Sequence, residues 1–289
     1  MMYLFKIWLT LFQSIFESRA ACRNTRYALL LGVILLTGCE DDRVLLRELE
    51  NDCVNHYRAK SYKVASRVCL EGANKGIVRS QWLLANIYYY NLGDLGKSKE
   101  RALEWFTSAA DNGLTDAQVF VGESYIYGDG VEKDYEKAYH YFSVAADNFD
   151  ASAEFNLGMM FYNGYGRKKD FSAAISWLKR AASQNHSMSI NNLAWLYATS
   201  DNRSLRNPKK ALFWAEKLAD DGENLSIFLD TKAAAYALAG EFEKAVQSQS
   251  LAIEALPEDV DESKLVEFQK RLESYQNGYS WIEGEGSDK

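Results

Sequence analysis

Residues 115–149 read TDAQVFVGESYIYGDGVEKDYEKAYHYFSVAADNF, and the pattern of this stretch recurs before and after it in the chain. Its small and aromatic positions return 36 residues further on. Gly122, Tyr125, Ala138 and Ala145-Ala146 correspond to Gly158, Phe161, Ala174 and Ala181-Ala182. Counterparts also lie upstream, at Ala85, Tyr88, Ala102 and Ala109-Ala110, and downstream, at Ala194, Tyr197, Ala211 and Leu218-Ala219. A fixed period of this length predicts a solenoid built from four such units in series.

Each unit has the spacing of two amphipathic helices joined by a turn. An aromatic residue three positions after a small one shares its helical face, and the alanines seven and eight apart form a second face. Four residues before the alanine that begins each second helix stands an N-cap type of residue: Ser98, Asp134, Asp170 and Asn207. Glycines that accept positive φ angles are predicted to end the first helix of the two central units: Gly128, Gly130, Gly164 and Gly166.

Two of the units resemble the Sel-one-like repeat, a relative of the tetratricopeptide repeat. They read VGESYIYGDGVEKDYEKAYHYFSVAADNF at 121–149 and LGMMFYNGYGRKKDFSAAISWLKRAASQN at 157–185. Residues 229–257, LDTKAAAYALAGEFEKAVQSQSLAIEALP, look like a tetratricopeptide hairpin. The resemblance implies an all-α fold, a right-handed α/α superhelical solenoid of about six helical hairpins with a C-terminal capping helix. We expect the Sel-one-like solenoid at 44–222, the tetratricopeptide-like hairpin and capping helix at 223–282, and a flexible tail at 283–289.

The N-terminal residues resemble a bacterial lipoprotein signal. Arg23 and Arg26 precede an apolar run at 27–36, and the following LTGC resembles a lipobox that ends at Cys39. The resemblance implies a signal peptide at 1–38, a lipidated Cys39 and a short tether at 39–43. It also implies a periplasm-facing protein of the bacterial envelope, in the outer rather than the inner membrane because Glu40 follows the cysteine. The alternative is an uncleaved signal anchor.

Two cysteines lie symmetrically about a predicted turn. Cys53 and Cys69 stand eight residues on either side of Ser61, which places them opposite one another on two antiparallel helices. In an oxidising compartment this arrangement predicts a disulfide. The alternative is a pair of buried free thiols, because small cysteines also pack well in cores.

Composition and motifs argue against catalysis and nucleic-acid binding. The formal net charge is -7, and removing residues 1–39, with four basic and one acidic side chain, leaves 29 basic against 39 acidic. So acidic a body lacks the basic face that phosphate contacts require. No HExxH, GxSxG or P-loop motif is present. The histidines, His56, His140 and His186, fall in different hairpins, so we expect no metal site, no cofactor and no enzyme activity.

A binding surface is the remaining prediction. In tetratricopeptide-like stacks the first helices line the concave face, and the resemblance carries this role to particular positions here. A partner-binding groove is thereby implied at Trp82, Asn86, Tyr89, Tyr90, Glu123, Ile126, Tyr127, Phe155, Met159, Tyr162, Asn191 and Trp195. Such rigid aromatic side chains are favoured in binding hot spots, although the same periodicity would also place rings between packed helices.

Three functions are compatible with this pattern. The first is a lipid-anchored scaffold or adaptor that binds another protein of the envelope. The second is an immunity protein that neutralises a secreted antibacterial effector in the periplasm. The third is a β-lactam-binding or hydrolysing enzyme, for which the sequence offers no serine or zinc motif.

Overall fold

The structure, a computed structural model, describes residues 37–219 and 222–284, with side chains from Asp42 onwards. The predicted signal peptide, the side chain of Cys39 and tail residues 285–289 lie outside the described residues. The chain divides into two compact units, residues 1–105 and 106–289.

Within the described ranges the chain is entirely helical, with thirteen α-helices and no strand, which confirms the predicted fold class of helical-repeat solenoid. The helices are α1 Thr37–Arg58, α2 Tyr62–Asn74, α3 Val78–Tyr89, α4 Lys99–Asp111, α5 Thr115–Tyr127, α6 Tyr135–Asp147, α7 Ala151–Asn163, α8 Phe171–Ser183, α9 Ser187–Thr199, α10 Pro208–Ala215, α11 Leu225–Leu238, α12 Phe242–Glu254 and α13 Glu262–Gln276.

The first unit begins with a hairpin of α1 and α2. A disulfide joins Cys53 and Cys69, the pair that the symmetric spacing singled out, and both cysteines are completely buried. The tether predicted at 39–43 is instead part of α1, which begins at Thr37. The helix continues through these positions because no proline interrupts residues 37–58.

Small residues allow the central hairpins of the second unit to close tightly. A Cβ added to Gly122 of α5 would lie 2.6 Å from the ring of Phe142 on α6. A Cβ added to Gly158 of α7 would lie 2.9 Å from Leu178 on α8. Real Cβ atoms do not approach so closely, and overpacking of this kind typically costs about 1–3 kcal/mol. The period of small residues therefore sets the distance between the two helices of each hairpin.

The predicted N-caps of the second helices are confirmed in all four repeats. The side-chain oxygen of each cap residue accepts a hydrogen bond from a backbone N–H in the first turn, at 3.0–3.2 Å for the third residue after the cap. The backbone N–H of each cap residue itself donates to the carbonyl of the aromatic residue near the end of the first helix, which closes the loop between the two helices. The four loop-closing pairs are Ser98 to Tyr88, Asp134 to Tyr125, Asp170 to Phe161 and Asn207 to Tyr197.

The predicted helix-ending glycines are confirmed as well. Gly128 and Gly164 have φ angles of 75° directly after α5 and α7, and the N–H of each donates back to a carbonyl four residues earlier. Gly130 and Gly166 also have positive φ angles. Each first helix of the central units therefore ends in the left-handed conformation that glycine adopts without strain.

A buried polar cluster secures α13 against the last hairpin, α11–α12. The Nε of Arg271 on α13 donates to Oδ1 of Asp230 on α11, at 2.7 Å. The Nε2 of Gln249 on α12 donates to the same oxygen at 2.8 Å and to the carbonyl of Phe268 at 3.2 Å. Burial raises the pKa of the Asp230 carboxyl, and Arg271 opposes that rise. One buried carboxylate thus binds three helices together.

Candidate interaction surface

The predicted lining residues of the first unit lie on α3 and directly after it. Trp82, Asn86 and Tyr89 are half-buried, whereas Tyr90, the residue that follows the helix, is 60% exposed. The ring of Tyr90 packs edge-on against that of Tyr89, with centroids 4.9 Å apart. The amide nitrogen of Asn86 donates to the backbone carbonyl of Trp82 at 2.8 Å. Among the predicted lining residues of this unit, Tyr90 is therefore the most exposed.

In the second unit, two predicted lining residues are wrong as surface positions because the structure buries them. Ile126 is only 8% exposed and belongs to the core cluster that includes Phe142 and Leu157. Asn191 is 5% exposed, and its Oδ1 has no hydrogen-bond partner among the described residues. The helical period identifies the face of a helix, and part of this face packs against the neighbouring helix instead of facing the solvent.

Three further predicted residues are half-buried and serve interhelix packing. Phe155, Met159 and Trp195 pack against the core cluster built around α9, whose buried members include Leu193 and Phe228. These three side chains therefore contact neighbouring helices, which is the alternative that the periodicity left open for the groove residues.

Glu123 joins two first helices by a polar contact. Its Oε1 accepts a hydrogen bond from Nδ2 of Asn156, so that α5 is linked to α7, at 3.2 Å. Burial raises the pKa of the Glu123 carboxyl, while the Asn156 bond opposes the rise. Because its carboxylate already has a partner within the chain, Glu123 is a weaker candidate for binding than the tyrosines.

Tyr127 is the open residue of this group. It is 70% exposed at the last position of α5 and occupies the same place in its repeat as Tyr90 does in the preceding one, five residues after the small residue of the first helix. Tyrosine offers a large ring and a hydroxyl at low cost in conformational entropy, which suits it to an interface.

Tyr162 contacts a segment near the C-terminus that the sequence assigned to other roles. We call residues 279–284, which follow α13 without regular secondary structure, the return segment. The hydroxyl of Tyr162 donates to Oε2 of Glu283 at 2.8 Å, and the backbone N–H of Glu283 donates to the carbonyl of Thr199 at 2.8 Å. Burial is the main cause that raises the pKa of Tyr162, and the contact with Glu283 adds to it. Glu283, the first residue of the predicted flexible tail, thus has two hydrogen-bond partners on the first helices.

Arg271 on α13 contacts a tryptophan ring of the return segment and another of α9. Its guanidinium carbon lies 5.4 Å from the ring centroid of Trp195 on α9 and 5.6 Å from that of Trp281 in the return segment. Like Tyr236 and Phe242, Trp281 also packs against a buried cluster that includes Ala245 and Tyr275. Sequence reasoning missed Arg271, Trp281 and Glu283, because contacts between residues so distant in the chain leave no periodic signal.

Three further kinds of feature bear on function among the described residues: metal ligands, acid-base groups and membrane-spanning helices. No group of three or more His, Cys, Asp or Glu side chains within them is arranged to hold a metal ion. His186, the nearest candidate for acid-base work, caps α9 instead: its Nδ1 accepts from the backbone N–H of Ser189 at 3.3 Å. Burial lowers the pKa of His186, which favours this uncharged form. None of the described helices combines the length and apolar character that crossing a bilayer needs.

Comparison with known proteins identifies four Sel1 repeats, at residues 78–114, 115–148, 151–186 and 187–223. Two solved structures share the fold. A Sel1 repeat protein from Oxalobacter formigenes is 24% identical, with a TM-score of 0.60 over 71% of this chain and 84% of its own. The protein c5321, a protective antigen of uropathogenic Escherichia coli strains with an SLR fold, is 24% identical, with a TM-score of 0.64 over 78% of this chain and 47% of its own. No curated protein has a significantly matching sequence.

Proposed function

Because the chain is a Sel1-like repeat protein, we propose that it is a non-catalytic scaffold that binds another protein through the first helices of its hairpins. Repeats of this kind generally serve as interaction modules, since stacked hairpins present a long surface to a partner. The observation that carries the proposal is the pair Tyr90 and Tyr127. The same repeat position bears an open tyrosine in two successive hairpins, at 60% and 70% exposure.

This position is significant because the fold does not need an aromatic side chain there. The third and fourth repeats have Asn163 and Thr199 at the equivalent place, five residues after Gly158 and Ala194. An exposed ring that neither fills the core nor is required by the repeat is available for a partner, and tyrosine is among the residues most enriched in binding hot spots.

We further propose that the protein is held in the bacterial envelope by a lipid on Cys39 and faces the periplasm, at the outer membrane. The supporting sequence is LTGC at 36–39 after an apolar run. The disulfide between Cys53 and Cys69 supports an oxidising compartment, because such bonds are rare in the reducing cytosol. Mass spectrometry of the N-terminal peptide should find Cys39 as its first residue, carrying a lipid. A Cys39→Ser variant should be released from the membrane fraction.

The binding proposal is tested with two matched double variants. Tyr90→Ala/Tyr127→Ala removes the open tyrosines, whereas Phe149→Ala/Phe213→Ala removes two rings of similar exposure, 73% and 54%, from a loop and from a second helix. Each protein is purified from solubilised membranes, and the proteins retained with it are quantified by mass spectrometry. We expect a resident partner to fall at least tenfold with the tyrosine variant and to stay unchanged with the phenylalanine variant.

Equal retention by both variants would show that the open tyrosines are not the binding surface. A preparation without a resident partner would contradict the resident scaffold. It would instead favour the immunity protein, whose effector arrives from outside the cell.

A further inference from the structure

The return segment lies on the face where the proposed function places the partner. Glu283 reaches Tyr162 on α7 and the carbonyl of Thr199 at the end of α9, and both α7 and α9 are first helices. Tyr162 was itself predicted as a lining residue of the groove. The chain therefore covers part of its own candidate surface.

The contacts are chemically specific but few. The guanidinium of Arg271 lies near two rings, that of Trp281 in the return segment and that of Trp195 on α9. Two residues later, the carboxylate of Glu283 accepts from Tyr162. Only Ile282 separates the two groups in the chain, so one short stretch places both of them on the helices.

The return segment is also weakly held in comparison with the helices. Its hydrogen bond to Tyr162 lies at the surface, and Glu283 itself is exposed. Segments with few buried contacts and exposed hydrogen bonds open locally at a much lower free energy than core helices do. Release of residues 279–284 would leave the capped and packed helices α7 and α9 in place.

We propose that the return segment is a displaceable occupant of the partner site, and that the partner binds by a short segment without regular secondary structure, in which an aromatic ring is followed two residues later by a carboxylate. This inference rests on the proposed function, because it names the kind of partner segment that the same surface takes. The occupant in the resting protein shows the chemistry that fits: a ring for Arg271, a carboxylate for Tyr162 and a backbone N–H for Thr199.

The probe is a fluorescent peptide with the sequence of residues 277–284, NGYSWIEG, and its binding to the full chain is measured by fluorescence polarisation. The wild-type protein, whose site is occupied, is compared with Trp281→Ala/Glu283→Gln, whose own segment lacks both anchoring groups. We expect the double variant to bind the peptide at least tenfold more tightly than the wild type. A peptide that carries the same two substitutions should not bind to either protein.

Two matched tyrosine substitutions test where the peptide binds. Tyr162→Phe, added to the double variant, removes the hydroxyl that donates to the carboxylate and should weaken peptide binding about fivefold, the loss expected for one typical hydrogen bond. Tyr141→Phe removes a similar bond elsewhere in the unit, from its hydroxyl to Oδ1 of Asp111 at 3.1 Å, and should have no effect. Equal effects of the two substitutions would overturn the assigned site.

Because Trp281 also packs on the last hairpin, a second measurement avoids its substitution. Amide hydrogen exchange at residue 283 should be at least several-fold faster in Glu283→Gln than in the wild-type protein, because this substitution weakens the anchor without touching the apolar cluster. Unchanged exchange, or equal peptide affinity of the wild type and the double variant, would overturn the proposal. A wild-type protein that dimerises in light scattering, with the dimer lost in Glu283→Gln, would overturn it too, by making a second copy the occupant.

The outcomes separate this inference from the function on which it rests. If Tyr90 and Tyr127 prove necessary for partner capture while the peptide does not bind, only the displaceable occupant fails. If the peptide binds through Tyr162 but neither double variant nor the wild type retains any partner, the resident scaffold fails instead.

Discussion

The first and the last described hairpins are held together differently. In α1–α2 a covalent bond joins Cys53 and Cys69. In α11–α12, extended by α13, the link is the buried carboxylate of Asp230 with Arg271 and Gln249. The four central hairpins contain no cysteine, and one of them, α7–α8, has a buried carboxylate of its own: Glu154 accepts from Arg180 at 2.7 Å and from Gln184 at 2.9 Å. What all four central hairpins share is a side-chain cap at the start of the second helix, which is missing at the start of α2 and of α12. The two end hairpins thus combine a cross-link with an uncapped second helix.

The largest effect is expected from removing the ionic link. Arg271→Met keeps the bulk of the side chain but leaves Asp230, 6% exposed, without its cation. Breaking a buried pair from one side typically costs about 3–5 kcal/mol, because an uncompensated charge remains inside the protein. Urea unfolding followed by circular dichroism should show a loss of this size in the free energy of unfolding. Lys270→Met, at the exposed neighbouring position, should change it by less than about 0.5 kcal/mol.

The pH dependence of the Arg271→Met variant checks the cause of this loss. Burial already raises the pKa of Asp230 in the folded protein, and the loss of Arg271 removes the main opposing influence. An acid whose pKa is higher in the folded state contributes stability at low pH and loses it as the pH rises. The variant should therefore be less impaired at pH 5 than at pH 8. A deficit that stays constant across this range would indicate lost packing rather than an unpaired carboxylate.

These two links differ in how far the sequence could predict them. The cysteine pair is local, with a separation of 16 residues centred on a turn, so the spacing alone suggested it. Asp230 and Arg271 are 41 residues apart and have no shared period, so nothing in the pattern joins them. The return segment was missed for the same reason. The caps and glycines of the central hairpins were predicted correctly because each acts on its own helix within a few residues.

The candidate surface shows where periodicity reaches its limit. The period places Ile126 and Tyr127 next to each other at the end of α5, yet one is 8% and the other 70% exposed. A shift of one residue turns a helical side chain by about 100°, which is enough to move it from the core to the solvent. The sequence therefore indicates the helix that offers the surface, but the packed structure is needed to choose the residues.

A somewhat smaller effect is expected from removing the covalent link. In the chain-entropy model a disulfide that closes a loop of this size stabilises the protein by about 3 kcal/mol, by restricting the unfolded chain. Cys53→Ala/Cys69→Ala should lower the free energy of unfolding by about that amount, and reductant should lower that of the wild type similarly. Reductant should leave the double variant unaffected. A wild-type protein that is equally insensitive to reductant would show that the bond does not contribute to stability.

The smallest change in the free energy of unfolding is expected from removing an N-cap, which the central hairpins have and the first hairpin lacks. In α8, Oδ1 of Asp170 accepts from the N–H groups of Ser172 and Ala173, at 2.9 and 3.0 Å, whereas Ser61 stands at the same place before α2 without a side-chain capping bond. Asp170→Ala should therefore lower the free energy of unfolding by about 1 kcal/mol, the usual value of an N-cap. Ser61→Ala should change it by less than about 0.5 kcal/mol, as at an ordinary surface site. Urea unfolding under oxidising conditions measures both. Equal losses would mean that Ser61 caps its helix in solution, and that the first hairpin has the cap as well as the disulfide.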